Sequence, residues 1–228
     1  KTLKVTLIFN LMTTPLQILI SLLLALSVRV PGRANSAFRS VFMMPIAIAL
    51  SSGCMIWNIL LNPNQGVVNS ILMMFGMPSQ PFFTSPKQSM MSVILICIWK
   101  GCGYWMLYLL SGIQEVSESL IESARIDGAN KMQTFVQVVL PLVAPGVVAT
   151  AIYTFINTWN EFLYALILMN NTSKMTVAVA LRSLDGAEIL DWGDMMAASA
   201  LVVLPSVIFF CLIQNKIAGG MSEGAVKS

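Results

Sequence analysis

Five stretches of the chain are almost purely apolar, and each is about as long as a helix that crosses a bilayer, roughly 20 residues. They cover residues 7–28, 41–61, 89–111, 142–169 and 195–216. Loop sequences such as VPGR, NPNQG and NNTSK end several of them. Pro15, Pro45 and Pro205 fall inside spans, where neighbouring helices satisfy the freed backbone groups, and we expect kinks there. The pattern predicts an all-α membrane protein, a bundle of about five visible transmembrane helices.

The composition supports this prediction and excludes several classes of protein. The chain is 57% hydrophobic and 10% charged, whereas a soluble domain carries about a quarter charged residues. A net charge of +3 is too small to indicate a nucleic-acid partner. The chain has no histidine, and its four cysteines lie in apolar runs without metal or disulfide spacing. It also has no G-x-x-x-x-G-K-[ST] motif, so we expect it not to bind ATP phosphates itself.

The distribution of lysine and arginine predicts the orientation, because cytoplasmic loops carry more of both. We place the polar segment 122–145 in the cytoplasm. The cytoplasmic side then holds Arg29, Arg33, Arg39, Arg125, Lys131, Lys216 and Lys227. The outer side holds Lys1, Lys4, Lys87, Lys174 and Arg182. The bias is modest and has the expected sign.

Segment 122–145 separates two apolar runs, and its residues predict a short helix ending in a glycine turn. Ser119 and Glu122 have the spacing of a capping box. Glu122 and Arg125 could form an ion pair at i,i+3. Gly128 stands where a helix would end with a left-handed residue.

A second short helix is predicted after that turn. Asn130 and Gln133 have the spacing of another capping box, and Pro141 and Pro145 mark the return to the membrane.

The apolar side chains of the first helix leave two interpretations open. Ile121, Ala124 and Ile126 would suit docking into a groove on a partner. The same residues would also suit an amphipathic linker lying on the membrane surface.

The sequence ESARIDGANKMQTFVQVVLPLVAP resembles the signature cytoplasmic loop of binding-protein-dependent ABC importer permeases. The matching positions are Glu122, Ser123, Ala124, Asp127, Gly128, Ala129, Leu140 and Pro141. Ser123 stands where alanine is usual. The Asp-Gly-Ala form followed by LPL is similar to the carbohydrate branch of maltose-type permeases. WNILLNPNQGVVNSIL resembles one permease type of that branch, whereas FINTWNEFLYALIL and GGMSEGAVKS resemble its paralogous partner type.

The resemblance implies one permease domain over 1–228 with a further span upstream, six in all, and a cytoplasmic coupling loop at 112–141. It implies a second permease subunit, two ATPase subunits that bind ATP and Mg, and a solute-binding protein outside the inner (plasma) membrane. The outer loops 62–87 and 170–194 would meet that binding protein. No cofactor and no catalytic residue is implied in this chain. The implied coupling residues are Glu118, Ile121, Glu122, Ser123, Ala124, Arg125, Asp127, Gly128, Ala129, Leu140 and Pro141.

Two charged residues fall inside predicted spans, where charges are costly and usually face the bundle interior. The hypothesis is that Lys100 and Glu161 face a translocation path and could pair. Nearby polar and aromatic residues suited to holding sugars are Asn157, Trp159, Asn160 and Tyr164. The alternative is structural: Lys100 would snorkel, and the asparagines would bond between helices.

The function predicted is that of a permease subunit of an ATP-driven importer for sugars or oligosaccharides. One alternative is an ABC permease for a polyol phosphate or another solute. A second alternative is an ATP-independent secondary transporter or channel, although no internal repeat is visible. A membrane enzyme has little support, because no histidine, metal cluster or nucleophile–base pair is present.

Overall fold

The computed structural model describes residues 2–169, 175–185 and 192–225. Within these ranges the chain is helical, with short turns and no β-strand. The α-helices are α1 (Thr2–Ser27), α2 (Arg33–Ala47), α3 (Leu50–Leu60), α4 (Val67–Met74), α5 (Ser89–Gln114), α6 (Glu118–Ile126), α7 (Lys131–Thr134), α8 (Leu140–Trp159), α9 (Leu163–Leu168), α10 (Val177–Asp185) and α11 (Trp192–Ala225).

Three helical segments among the described residues are long and apolar enough to cross a membrane alone. They are α1 and α5, each with 26 residues, and the continuous helix Lys131–Trp159, with 29. At 1.5 Å per residue a 26-residue helix is about 39 Å long, which exceeds the roughly 30 Å hydrocarbon core of a bilayer. The first and third predicted spans are therefore confirmed as spanning helices.

The second predicted span, 41–61, is not one helix. It divides into α2 and α3, which meet at an angle of 99°. Pro45 lies in the last turn of α2 and provides no N–H to that turn. Ile48, which follows, has an extended backbone. Residues 41–61 are apolar on both sides of the break, so their hydropathy does not reveal it.

The fourth and fifth predicted spans are also modified. The fourth begins at Lys131 instead of residue 142, ends at Trp159, and resumes as α9. The fifth lies within α11, in which Met195–Cys211 is an apolar helical stretch. Much of the predicted outer loop 170–194, and the end of the tail 219–228, lie outside the described residues. The upstream sixth span stays a prediction.

The core consists of two clusters stacked along α5. The first, which we call the outer core, includes Phe9, Val93, Ile94 and Leu168. The second, which we call the inner core, includes Ala25, Met106, Leu109 and Val139, and lies at the end of the bundle that carries α6. Because α5 contributes to both clusters, it links the two ends of the bundle.

One face of α1 is polar and buried, a feature not identified from the sequence. Thr6, Asn10, Thr13, Gln17 and Ser21 are all buried, and they recur every three or four residues. The Asn10 Nδ2 donates to a main-chain carbonyl of α8 at 2.9 Å. The Thr6 hydroxyl accepts from the first N–H of α10 at 2.9 Å. This face therefore fixes α1 to its neighbours by hydrogen bonds, which are effective glue between membrane helices.

We expect Gly103→Ala to destabilise the bundle by about 1–3 kcal/mol, as overpacking typically does. A Cβ at Gly103 would overlap the carbonyl of Phe42, so the backbones of α5 and α2 would have to separate. The matched control is Gly112→Ala on the same helix, where a Cβ meets nothing within 4 Å. The measurement is the apparent melting temperature in mild detergent. Equal melting temperatures for the two variants would refute close packing at Gly103.

Candidate functional site

We call the polar segment between α5 and α8 the coupling segment (residues 117–139). Its first helix begins two residues earlier than predicted. Helix α6 starts at Glu118 with Ser117 as its first cap residue, and no side chain caps it. Ser119 therefore lies inside the first turn, and the predicted Ser119 capping box is wrong. The ion pair predicted between Glu122 and Arg125 does not form in the described structure.

The turn after α6 confirms the prediction for Gly128. Its φ is 86°, in the left-handed region that favours glycine. The Ala129 N–H donates to the Ala124 carbonyl at 2.9 Å, and the Gly128 N–H donates to the Arg125 carbonyl at 3.1 Å. This pair of bonds is a Schellman motif, which satisfies the carbonyls at the end of α6.

The second predicted capping box is also confirmed. The Gln133 N–H donates to Asn130 Oδ1 at 2.9 Å, and the Asn130 N–H donates to Gln133 Oε1 at 2.8 Å. The helix that follows is not short, because a π-turn over Phe135–Val139 joins it to α8. The wide turn directly precedes Pro141, which has no N–H to offer a regular helix.

The coupling segment has one face against the bundle and one face open. Ile121 and Phe135 pack on the inner core. Ile126 and Met132, on either side of the glycine turn, are 81% and 69% exposed. Of the three apolar residues expected to dock on a partner, Ile121 instead anchors the segment to its own bundle. The open face is therefore an apolar pair surrounded by polar side chains.

The polar side chains of Glu118, Glu122, Ser123, Arg125 and Asp127 are exposed. Ala124, Ala129 and Leu140 are half-buried and Pro141 is exposed. The structure thus brings the implied coupling residues together around one turn, except for Leu140 and Pro141, which lie at the start of α8.

A second feature is a partly open cavity of about 260 Å³ between the broken helices. Polar and aromatic side chains from several helices line it: Gln17, Lys100, Trp105, Asn157, Glu161 and Tyr164. The cavity therefore combines hydrogen-bonding groups with aromatic faces, the usual lining of a sugar site.

Lys100 provides hydrogen bonds to main-chain carbonyls at the break between α2 and α3. Its Nζ donates to the main-chain carbonyls of Pro45, Ile46 and Ile48. A break in a membrane helix leaves such carbonyls without helical donors, and each unpaired group in the bilayer core is costly. The ammonium group thus stabilises the 99° bend, and the predicted snorkelling of Lys100 is not observed.

Glu161 lies at the second break, between α8 and α9, as Lys100 lies at the first. Its Oε1 accepts the Tyr164 N–H at 2.8 Å, at the start of α9. Lys100 and Glu161 line the same cavity but form no ion pair in the described structure. Each charged group instead stabilises a broken helix whose ends border the cavity.

The four other predicted path residues divide into two groups. Asn157 and Tyr164 line the cavity. Asn160 does not line it, and donates to the Ile156 carbonyl of its own helix at 2.9 Å. Trp159 is buried and stacks on Phe155, with ring centroids 5.7 Å apart. The predicted bonding of the asparagines between helices is not observed, because Asn157 also bonds within α8.

Gln17 is a cavity residue that the sequence reasoning missed. It comes from the buried polar face of α1, and a Cβ at Gly101 would collide with its amide. The signal that could have identified it was the recurrence of polar residues along the first apolar run.

The family model described as "Binding-protein-dependent transport system inner membrane component" matches residues 5–222. The chain belongs to this family. It is therefore a multi-pass membrane protein of a family of transport permeases, which confirms the recognised resemblance.

Several relatives are named as permeases for carbohydrates. The chain is 38% identical over 120 residues to a trehalose/maltose transport system permease protein of Thermococcus litoralis, covering 52% of this chain and 43% of that one. It is 29% identical over 210 residues to a sulfoquinovosyl glycerol transport system permease protein of Agrobacterium fabrum, covering 91% and 67%. A putative ABC transporter permease of Streptomyces antibioticus is 41% identical over 123 residues, 54% of each chain. The chain spans about half the length of most of these relatives.

A bacterial alginate ABC transporter, solved in complex with an alginate pentasaccharide-bound periplasmic protein, has a similar fold. The TM-score is 0.83 at 21% identity, and the match covers 100% of this chain and 79% of that one. At this identity the likeness concerns the fold alone.

We expect Lys100→Met to lower the apparent melting temperature, because it leaves the Ile46 and Ile48 carbonyls at the α2–α3 break without a donor, whereas the Pro45 carbonyl still accepts the Ile48 N–H. The cost is about 1–3 kcal/mol for each unpaired buried carbonyl. Glu161→Gln is the comparison, since an amide oxygen can still accept the Tyr164 N–H and should change the melting temperature little. If both variants melted like the unmodified protein, Lys100 would have no role in stabilising the bend.

Proposed function

We propose that this chain is a permease subunit of an ATP-driven importer for sugars or oligosaccharides in the inner membrane. The observation that carries the proposal is the coupling segment. Its glycine turn is fixed by a Schellman motif and a capping box, and it exposes Ile126 and Met132 on its open face. Exposed apolar residues on a rigid turn suit a groove on a soluble partner.

The partner in this proposal is an ATPase, because the chain has no phosphate-binding loop of its own. Two ATPase subunits would bind ATP and Mg and would each hold one coupling segment. A second permease subunit would complete the translocation path. Family membership supports this assembly, since the family's description names an inner membrane component of a transport system.

The way the segment is anchored explains how force would pass to the membrane. Ile121 and Phe135 pack on the inner core, to which α1 and α5 also contribute. The helix that starts at Lys131 continues to Trp159. A displacement of the turn would therefore move whole helices, as rocking of rigid bodies about a central site requires.

The proposed solute class rests on the relatives' names and on the cavity. The named solutes include trehalose/maltose and diacetylchitobiose. The cavity offers polar groups and an aromatic face from Asn157, Tyr164 and Trp105. A sn-glycerol-3-phosphate permease of Agrobacterium fabrum is 33% identical over 161 residues, so a polyol phosphate is the second candidate.

The solute-binding protein would dock at the end of the bundle opposite the coupling segment. There Leu61 and Phe83 flank the loop with α4 and lie in the outer core. The side chain of Asn69 fastens this loop by donating to the Gln80 carbonyl at 2.9 Å and accepting the Gln80 N–H at 2.8 Å. An ordered loop suits a docking surface.

We expect the chain, purified from its own membrane in mild detergent, to bring an ATPase, a second permease and a binding protein with it. Ile126→Arg should lower recovery of the ATPase on the order of tenfold, because a charge would enter the apolar contact. Mass spectrometry of the purified material measures this recovery.

Met74→Arg is the matched control, because Met74 is 86% exposed but lies on α4, away from the coupling segment. It should retain the ATPase. If the unmodified chain captured no ATPase even after mild cross-linking, an ATP-independent transporter would be the better interpretation.

We expect Asn157→Leu to reduce uptake of the sugar retained by the co-purified binding protein, roughly two- to tenfold, by removing one hydrogen bond. Asn160→Leu is the control. Both amides are exposed and donate to a carbonyl of their own helix at 2.9 Å, but only Asn157 lines the cavity. Equal uptake by the two variants would place the solute path elsewhere.

A further inference from the structure

A cavity of about 320 Å³ lies between the end of α1 and the coupling segment. Three cationic side chains line it, each from a different part of the chain. Arg29 follows α1, Arg125 is in the last turn of α6, and Lys131 begins α7. Among the residues that the structure describes, no acidic residue lines this cavity.

The three cationic groups have no internal partner. Within the part of the chain that the structure describes, none of them has a hydrogen bond or ion pair through its side chain. Arg39 in the same region differs, because its guanidinium donates to the Val28 carbonyl. Like charges around one cavity repel, and an anion among them would replace that repulsion by attraction.

The remaining walls are mostly apolar and come from Leu26, Ile121, Phe135 and Val139, next to the end of the apolar helix α1. Thr134 also lines the cavity, and its hydroxyl donates to the Asn130 carbonyl at 3.0 Å. Basic pockets between transmembrane helices at the membrane boundary bind phospholipid head groups. A phosphate group fits this setting, since arginine binds phosphate with paired, charge-assisted hydrogen bonds.

We propose that Arg29, Arg125 and Lys131 form a binding site for a phosphate-bearing anion, an anionic phospholipid head group or free phosphate, at the junction of α1 and the coupling segment. The site is separate from the open face that carries Ile126. Three acidic residues are nearby: Glu122 and Asp127 lie within three residues of Arg125 along the chain, and Glu118 lines an adjoining cavity that shares Arg29. Glu118 forms no ion pair with Arg29 in the described structure.

The test uses the full chain with its co-purifying subunits, stripped of lipid in mild detergent. Phosphatidylglycerol, phosphatidylcholine and inorganic phosphate are titrated separately, and bound probe is measured by native mass spectrometry or equilibrium dialysis. We expect Arg29→Gln, Arg125→Gln and Lys131→Gln each to weaken binding about fivefold, since one cation near a membrane surface contributes about that factor. Arg29→Lys, which keeps the charge, should retain most of the binding.

Arg33→Gln is the matched control, because Arg33 is exposed at the start of α2, four residues after Arg29, but lines neither cavity. Preference for phosphatidylglycerol over phosphatidylcholine identifies a lipid head group, and binding of inorganic phosphate alone identifies a free anion. Either result supports the site. If Arg33→Gln weakened binding as much as the other variants, or if none did, the site would be refuted.

Binding only after removal of the ATPase would also refute the site, because it would show that the ATPase covers the cavity in the assembled protein. The readout is independent of transport. A negative result would therefore leave the coupling function untouched, and loss of ATPase capture would leave anion binding untouched.

Discussion

The constraint on which the structure depends is that every main-chain polar group inside a bilayer needs a partner within the protein. The chain breaks two of its spans and must therefore provide partners at both breaks. Lys100 donates to the carbonyls where α2 ends, and Glu161 accepts an N–H where α9 begins. These two charged residues thus have a structural role in the membrane. An unbroken helix would pair its own main-chain groups and would need neither of them.

The same two breaks border the intramembrane cavity, so structure and proposed function are linked. Discontinuous helices are tolerated at membrane depth where they line a cavity, and transport sites are commonly built from them. Lys100 and Glu161 keep their helix ends in place while remaining part of the cavity lining. The buried polar face of α1 contributes Gln17 to the same lining. A solute path here would therefore be polar, and the helix ends beside it would be held by Lys100 and Glu161.

The sequence predicted those features that depend on interactions between residues a few positions apart. Gly128 and the Asn130–Gln133 box depend on their own turn, and both are confirmed. The 99° bend was not predictable, because it depends on Lys100, which is distant in sequence from Pro45. Ser119 was predicted as a cap from its spacing to Glu122, but the cap residue is Ser117, which has the same side chain two residues earlier.

Tertiary packing also decides which face of the coupling segment is open. The sequence places Ile121, Ala124 and Ile126 within one short helix, and nothing in that helix distinguishes the partner's side from the bundle's. The inner core makes the distinction by packing Ile121 and leaving Ile126 exposed. Ile121 also lines the cavity of the proposed anion site. The contact that anchors the coupling segment is therefore next to that site. An anion bound there would contact both the end of α1, through Arg29, and the coupling segment, through Arg125 and Lys131. It would favour the arrangement of these two parts in which the three cationic groups are closest together.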